Sequence, residues 1–261
     1  MSKAKILSVA NQKGGVGKTT TSVNMAACLA EMGKRVILID LDPQGNASTG
    51  LGIDEQQRHR SSYDVLTHDS TAAEAVLPTA WDNLRIIPAT SDLASADIHL
   101  SGQRNRLGIL RNQLQDIVDA DYVIIDCPPA LGLLTLNAMV ASDSVLVPLQ
   151  TEFFALEGLS QLLLTVREVR QSANPALRIE GIVLTMFDAR NNLSQHVEAD
   201  ARATLGDLVF DTAIPRNVRL SESPSFAKPI IHYDRLSKGA TAYITMAEEF
   251  LKRQTNQKGA A

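Results

Sequence analysis

The sequence predicts an α/β fold, a mostly parallel twisted sheet flanked by helices. Three observations predict it. Short apolar runs alternate with helical patterns along the whole 261-residue chain. Several of those runs are apolar on consecutive residues, as in strands covered on both faces. A glycine-rich turn joins the first apolar run to the first helical pattern, and in open α/β sheets ligands bind beyond the carboxyl ends of the strands.

Taken in order, Ile6–Ala10 reads as the first strand and Thr19–Met32 as the first helix, closed by Gly33 just past its end. Val36–Ile39 is the second strand. Pro43 to Gly52 holds three glycines, one proline and few apolar residues, which predicts a loop. Leu84–Ile87, Tyr122–Ile125, Val145–Leu149 and Ile182–Met186 are further strands. Between and after them, Arg104–Val118, Leu133–Ala141, Ala155–Gln171 and Leu193–Leu205 carry helical patterns. The last helix, about Ala240–Arg253, places Tyr243, Met246, Ala247, Phe250 and Leu251 on one stripe that should pack on the domain. With no internal repeat, low-complexity segment or Gly/Ser linker, residues 1–261 read as a single domain.

Composition narrows the function classes. A hydrophobic content of 44% supports a sizeable core and excludes general disorder. The net charge of −4 excludes a bulk basic field, so any nucleic-acid contact must come from a local patch. Cys28 and Cys127 form no CxxC and have no His nearby, which argues against a disulfide scaffold, zinc ribbon or thiol redox motif. The five histidines show no metal-ligand spacing. The apolar run near the N-terminus is too short for a secretory signal, and no stretch approaches the ~18 apolar residues of a membrane span. A soluble, cytoplasmic protein is expected.

The chemistry concentrates at three strand ends. Lys13-Gly14-Gly15-Val16-Gly17-Lys18-Thr19-Thr20 sits between a strand and a helix, the context a phosphate-binding loop demands. Glycines let successive backbone N–H groups turn toward one anion, and the helix beyond adds the positive end of its dipole. Lys18 suits the β- and γ-phosphates of a bound nucleotide, and the Thr19 hydroxyl suits Mg²⁺. The strict pattern G-x-x-x-x-G-K-[ST] is not met, because Gln12 stands at its first glycine. Lys13 lies five residues before Lys18, too near the start of the loop to duplicate its role.

Asp40 and Asp42 flank Leu41 at the end of the second strand. Two carboxylates near a polyphosphate repel unless a cation or a water lies between them. Asp42 is therefore assigned to orienting the attacking water, and Asp40 to the Mg²⁺ environment or to a switch. The competing reading makes Asp42 a turn residue before Pro43. Asp126 ends the apolar run Tyr-Val-Ile-Ile-Asp, an arrangement that holds Mg²⁺ opposite a phosphate loop. Pro128-Pro129 argue against the alternative of a helix cap there. Within Arg216–Lys238, five basic residues (Arg216, Arg219, Lys228, Arg235, Lys238) stand against two acidic ones, a local basic patch that fits either a polyanion contact or a solvated face with no partner.

These residues resemble a family, the deviant-Walker P-loop ATPases, and within it the ParA/Soj chromosome- and plasmid-partitioning proteins. The resemblance covers nearly the whole chain. It rests on Asn11-Gln-Lys-Gly-Gly-Val-Gly-Lys-Thr-Thr-Thr21, Asp40-Leu-Asp-Pro-Gln-Gly-Asn46, Val123-Ile-Ile-Asp-Cys-Pro-Pro129, Phe153-Phe154 before Ala155-Leu-Glu-Gly158, and Ile214-Pro-Arg-Asn-Val-Arg-Leu-Ser-Glu-Ser-Pro224.

The resemblance implies that Lys13 is a signature lysine, reaching the partner's phosphates across an ATP-sandwich homodimer. It further implies Asp42 as the catalytic acid, Thr19 and Asp126 at Mg²⁺, and Pro215 with Asn217 against the adenine. Arg190 and Arg219 would touch phosphates of double-stranded DNA without reading bases. A ParB-like centromere-binding partner, slow intrinsic hydrolysis and nucleoid association are implied likewise. The MinD type, a positioning ATPase acting on a membrane or protein partner, is the alternative; it binds membranes through a C-terminal amphipathic helix. Here the tail Gln-Thr-Asn-Gln-Lys-Gly-Ala-Ala lacks bulky apolar residues to insert, so no membrane partner is expected. A nitrogenase-iron-protein-like reading fails for want of suitably placed cysteines.

Overall fold

Strand residues that are apolar on consecutive positions need two packing faces, and the chain provides both. A computed structural model describes residues 4–259 apart from 104, 118, 153 and 154; the expectations placed on Arg104, Val118, Phe153 and Phe154 lie outside the described residues. The strands are β1 (Lys5–Val9), β2 (Val36–Asp40), β3 (Leu77–Pro78), β4 (Leu84–Ile87), β5 (Tyr122–Asp126), β6 (Ser144–Gln150) and β7 (Arg178–Thr185). They form one sheet in the order β3-β4-β2-β5-β1-β6-β7. All pairings are parallel except β3 with β4.

Alternate residues of each strand serve opposite faces. Ile6, Ile37, Ile39, Val123 and Ile125 pack with residues of the Leu133–Ala141 helix. Leu7, Val9, Leu38 and Ile124 pack with the Lys18–Glu31 and Lys238–Gly259 helices. Tyr243, Met246, Ala247 and Phe250 of the C-terminal stripe are buried in this second cluster, as the periodicity predicts. Burying a large apolar side chain of this kind contributes about 1.5–3 kcal/mol. Tyr243 also shares a 3.1 Å hydrogen bond with Thr21, tying the last helix to the one that follows the glycine loop. Among the described residues no helix is long and apolar enough to cross a membrane.

The first helix ends as its glycine predicts. Gly33 adopts φ +78°, its N–H bonds to the Ala30 carbonyl, and the Lys34 N–H reaches back to Leu29. Three expectations are corrected. The Pro43–Gly52 segment contains a short helix, Asn46–Gly50, entered through Gly45 at φ +61° and packed through buried Ala47. The segment expected as one helix over 104–118 contains a short α-helix, Ile109–Gln113, followed by the 3₁₀ turn Leu114–Asp116. Finally, β7 begins four residues before the expected Ile182. A register shift against β6 inserts Glu180 as an extra residue, which breaks the apolar pattern. Its buried carboxylate accepts from Lys5 at 2.7 Å and Ser144 at 2.6 Å.

Candidate active site

The register of the three central strands assembles the site. β5 lies between β2 and β1, with Asp126 opposite both Asp40 and Val9. The loop after β1, the two aspartates after β2 and Asp126 therefore meet at one crevice at the carboxyl end of the sheet, the location expected for a ligand.

The glycine loop is shaped by its own backbone and by two polar anchors. Gly15 and Gly17 adopt φ +73° and +87°, conformations a Cβ would strain. Asn11 donates to the Pro148 carbonyl at 2.7 Å and accepts from the Lys13 N–H at 3.0 Å, fixing the loop entrance to β6. Thr185 at the end of β7 donates to the Val16 carbonyl at 2.9 Å. Gly14 and Thr20 complete the strand-helix junction, with the helix beginning at Lys18. Buried Lys18 donates to the Lys13 carbonyl at 3.0 Å. Desolvation lowers its pKa, while Asp126 and Asp42 nearby act in the opposite direction.

The carboxylates differ in what engages them. Asp40 is fully buried and takes three donors: Ser48 N–H at 2.8 Å, Ser48 Oγ at 2.7 Å and Asp42 N–H at 3.2 Å. Its carboxylate thus holds the Asn46–Gly50 helix against the end of β2. Asp42 accepts from the Gln44 N–H at 3.0 Å, and its carbonyl from the Gly45 N–H at 2.8 Å, so it also shapes the turn through Pro43. Asp126 accepts from Ser22 Oγ at 2.8 Å, but its buried Oδ2 has no hydrogen-bond partner among the described residues. Such an orphaned oxygen beside the Thr19 and Ser22 hydroxyls fits a hard divalent cation such as Mg²⁺, which takes oxygen ligands and is commonly shared between one or two carboxylates and phosphates.

Burial pushes the carboxyl groups of Asp126 and Asp40 up; the Asp40 charge raises Asp126 further, and the Asp42 charge acts the same way on Asp40. A raised pKa in the folded state means that the fold binds more protons than the unfolded chain, so stability falls as pH climbs from the ordinary carboxylate range through the folded values. Asp126→Asn removes one charge of the pair. It is expected to raise the melting temperature of the ligand-free protein by a few degrees at about pH 8 and to flatten its decline with pH. A lowered melting temperature there would show that the carboxylate stabilises the fold.

The remaining expected residues come from the segments that follow β7. Pro215 pairs with Phe187 beyond the end of β7. Asn217 caps the Val218–Glu222 helix, accepting from the Arg219 N–H at 2.9 Å. Between them Arg216 lines a cleft of about 660 Å³ with Glu152, Met186 and Asp188. Lys228 lines a second cleft, about 320 Å³, with Thr19, Thr20, Asn46 and Thr49. The basic patch is less free than its composition suggests. Arg219 pairs with Glu222 at 2.9 Å and Asp234 at 3.3 Å, Arg190 pairs with Asp188 at 3.1 Å, and Arg235 pairs with Glu31. Among the described residues Arg216, Lys228 and Lys238 make no ion pair with an acid. Cys28 and Cys127 are free and buried, with both thiols pushed up by desolvation.

Residue-by-residue reasoning missed four contributors. Ser22 had a readable signal, since it lies one helical turn after Lys18. Thr185 and Glu152 had none, because only the meeting of distant segments gives them their partners, and Ser48 is brought to Asp40, eight residues before it, by the turn between them.

Fold and site together define a P-loop ATPase of the deviant-Walker type. An AAA domain family profile matches residues 4–179. The chain is 53% identical over 246 residues to the sporulation initiation inhibitor protein Soj of Bacillus subtilis, covering 94% of this chain and 97% of that one. It is 51% identical over 260 residues to the chromosome partitioning protein ParA of Caulobacter vibrioides, covering 98% and 97%. Among solved structures, cobyrinic acid a,c-diamide synthase from Mycobacterium smegmatis with bound ADP and magnesium superposes with a TM-score of 0.84 at 38% identity, covering 97% and 96%. The chain belongs to the ParA/Soj family of chromosome-partitioning ATPases.

Proposed function

We propose that the protein is an ATP-dependent dimerisation switch that binds DNA non-specifically in its ATP state and resets by hydrolysis, moving a chromosome or plasmid with a ParB-like partner. The observation that carries this reading is the convergence of the glycine loop, buried Lys18 and the unpartnered Asp126 oxygen on one crevice, with a second lysine, Lys13, on its rim.

In this reading Gly14, Gly15, Val16, Gly17 and Thr20 present backbone N–H groups to the phosphates, and Lys18 neutralises the β- and γ-phosphates. Mg²⁺, held by Thr19 and Asp126 together with phosphate oxygens, would supply charge neutralisation at the transferring group. Asp42 orients the attacking water and accepts its proton as the new P–O bond forms and the bond to the β-phosphate oxygen breaks. Asp40 acts through the switch loop it holds. Pro215 and Asn217 bound the adenine side. Lys13 completes the partner's site in a homodimer, whose paired Arg190, Arg216, Arg219 and Lys228 surfaces grip the DNA backbone. A cytoplasmic, nucleoid-associated location follows.

DNA binding is tested on Arg219. Arg219→Ala removes one phosphate contact and also frees the carboxylates of Glu222 and Asp234 beside the DNA. Affinity is expected to fall about tenfold at low salt for all sequences alike, with the slope of log K against log salt reduced by about one. ATP-dependent dimerisation is retained. Sequence-selective loss would indicate base readout instead. DNA co-sedimentation and liposome flotation, each with and without ATP, separate this reading from one in which a membrane is the partner.

A further inference from the structure

Lys13 has to leave its own protomer if it is to serve another, and the structure shows what it would leave. Its ammonium lies 2.9 Å from Glu152 Oε2, with the two side chains 40% and 46% exposed. Glu152 stands just past the end of β6, and its other carboxylate oxygen accepts from Gln150 Nε2. Both oxygens are therefore engaged, and Gln150 sets the direction in which the carboxylate faces Lys13. The Lys13 backbone is also held, its N–H by Asn11 and its carbonyl by Lys18.

We propose that Glu152 is a positioning residue that stores the Lys13 ammonium in its own protomer and thereby sets the threshold for nucleotide-dependent dimerisation. The proposal rests on the ATP-dimer reading above. The Lys18 ammonium that would turn to the phosphates is the same one that now holds the Lys13 carbonyl, so nucleotide binding withdraws one of the three restraints on Lys13. Glu152 is the restraint that remains on the side chain. A protomer in which Lys13 is stored is not competent to pair, so the apparent dimer association constant is scaled by the competent fraction of each of the two protomers. An ion pair this exposed shifts that balance by about 1.5- to twofold in each protomer, and because both protomers must release Lys13 the dimer constant shifts by about two- to fivefold; salt screens the effect.

The test measures dimer dissociation constants by sedimentation equilibrium with Mg²⁺ and a slowly hydrolysed ATP analogue, for the wild type, Glu152→Gln and Gln150→Ala. At about 50 mM salt Glu152→Gln is expected to dimerise two- to fivefold more tightly than the wild type, with the difference shrinking toward unity at about 500 mM. Gln150→Ala, which leaves the carboxylate but removes the donor orienting it, is expected to fall between the two. Thermal unfolding of the ligand-free variants confirms that each is folded. An unchanged dimer affinity in Glu152→Gln at low salt overturns the proposal, and a weaker one shows that Glu152 acts across the closed dimer instead. If the wild type itself stays monomeric with the analogue, the switch reading fails and the storage role with it.

Discussion

Lys18→Ala is expected to lower ATP affinity by on the order of 100-fold. The side chain is buried at the start of the first helix, and among the described residues its ammonium donates only to the Lys13 carbonyl, a bond that phosphate oxygens can replace. A hydrogen bond to a charged group contributes about 1.5–3 kcal/mol, and two such bonds to the phosphates account for a loss of that size. Titration with a fluorescent ATP analogue measures the affinity, and thermal unfolding provides an independent reading. Nucleotide should raise the melting temperature of the wild type and leave that of Lys18→Ala where it was. Near-normal affinity in the variant would refute the phosphate-loop assignment.

Asp42→Ala is expected to reduce ATP turnover by about 100-fold or more, the range that a positioned proton acceptor contributes. ATP-bound dimers should then accumulate on sizing with ATP and Mg²⁺. The structure adds a control, because the Asp42 carboxylate also accepts from the Gln44 N–H and so helps form the turn through Pro43. Asp42→Asn keeps an acceptor for that N–H while removing the base. Both variants should lose turnover, and only Asp42→Ala should lose stability. An Asp42→Asn protein that hydrolyses ATP normally, or a monomeric profile for Asp42→Ala, would remove Asp42 from the mechanism.

Much of the crevice was legible because its signals are local. The end of β1, the glycine loop and the start of the Lys18–Glu31 helix are contiguous in sequence, and Asp126 stands out as one acid closing an apolar run. The buried strands were legible because a parallel sheet covered on both faces leaves little room for polar residues. What could not be read depended on how a nearby turn folds or on partners far along the chain. Asp40 sits beside Asp42 in sequence, yet its three donors come from the turn it supports, so its carboxylate is committed to Ser48 and the Asp42 N–H. The bulge that lengthens β7 turns Glu180 toward Lys5, 175 positions away. Counting charges over Arg216–Lys238 likewise overlooked Glu31, which pairs with Arg235 across 204 positions.

By itself the sequence determined the sheet's two-sided burial, the site of the phosphate loop and the acids at the strand ends, because apolar periodicity, glycine dihedrals and capping act over a few residues. Only the tertiary structure decided which of those acids is left with an unpartnered oxygen, which basic residues are already neutralised, and that Lys13 rests on Glu152. The Asp126 site, the Arg235–Glu31 pair and the Lys13–Glu152 pair each join groups more than a hundred residues apart, which only the fold brings together, whereas Arg190 and Arg219 are neutralised by acids close along the chain.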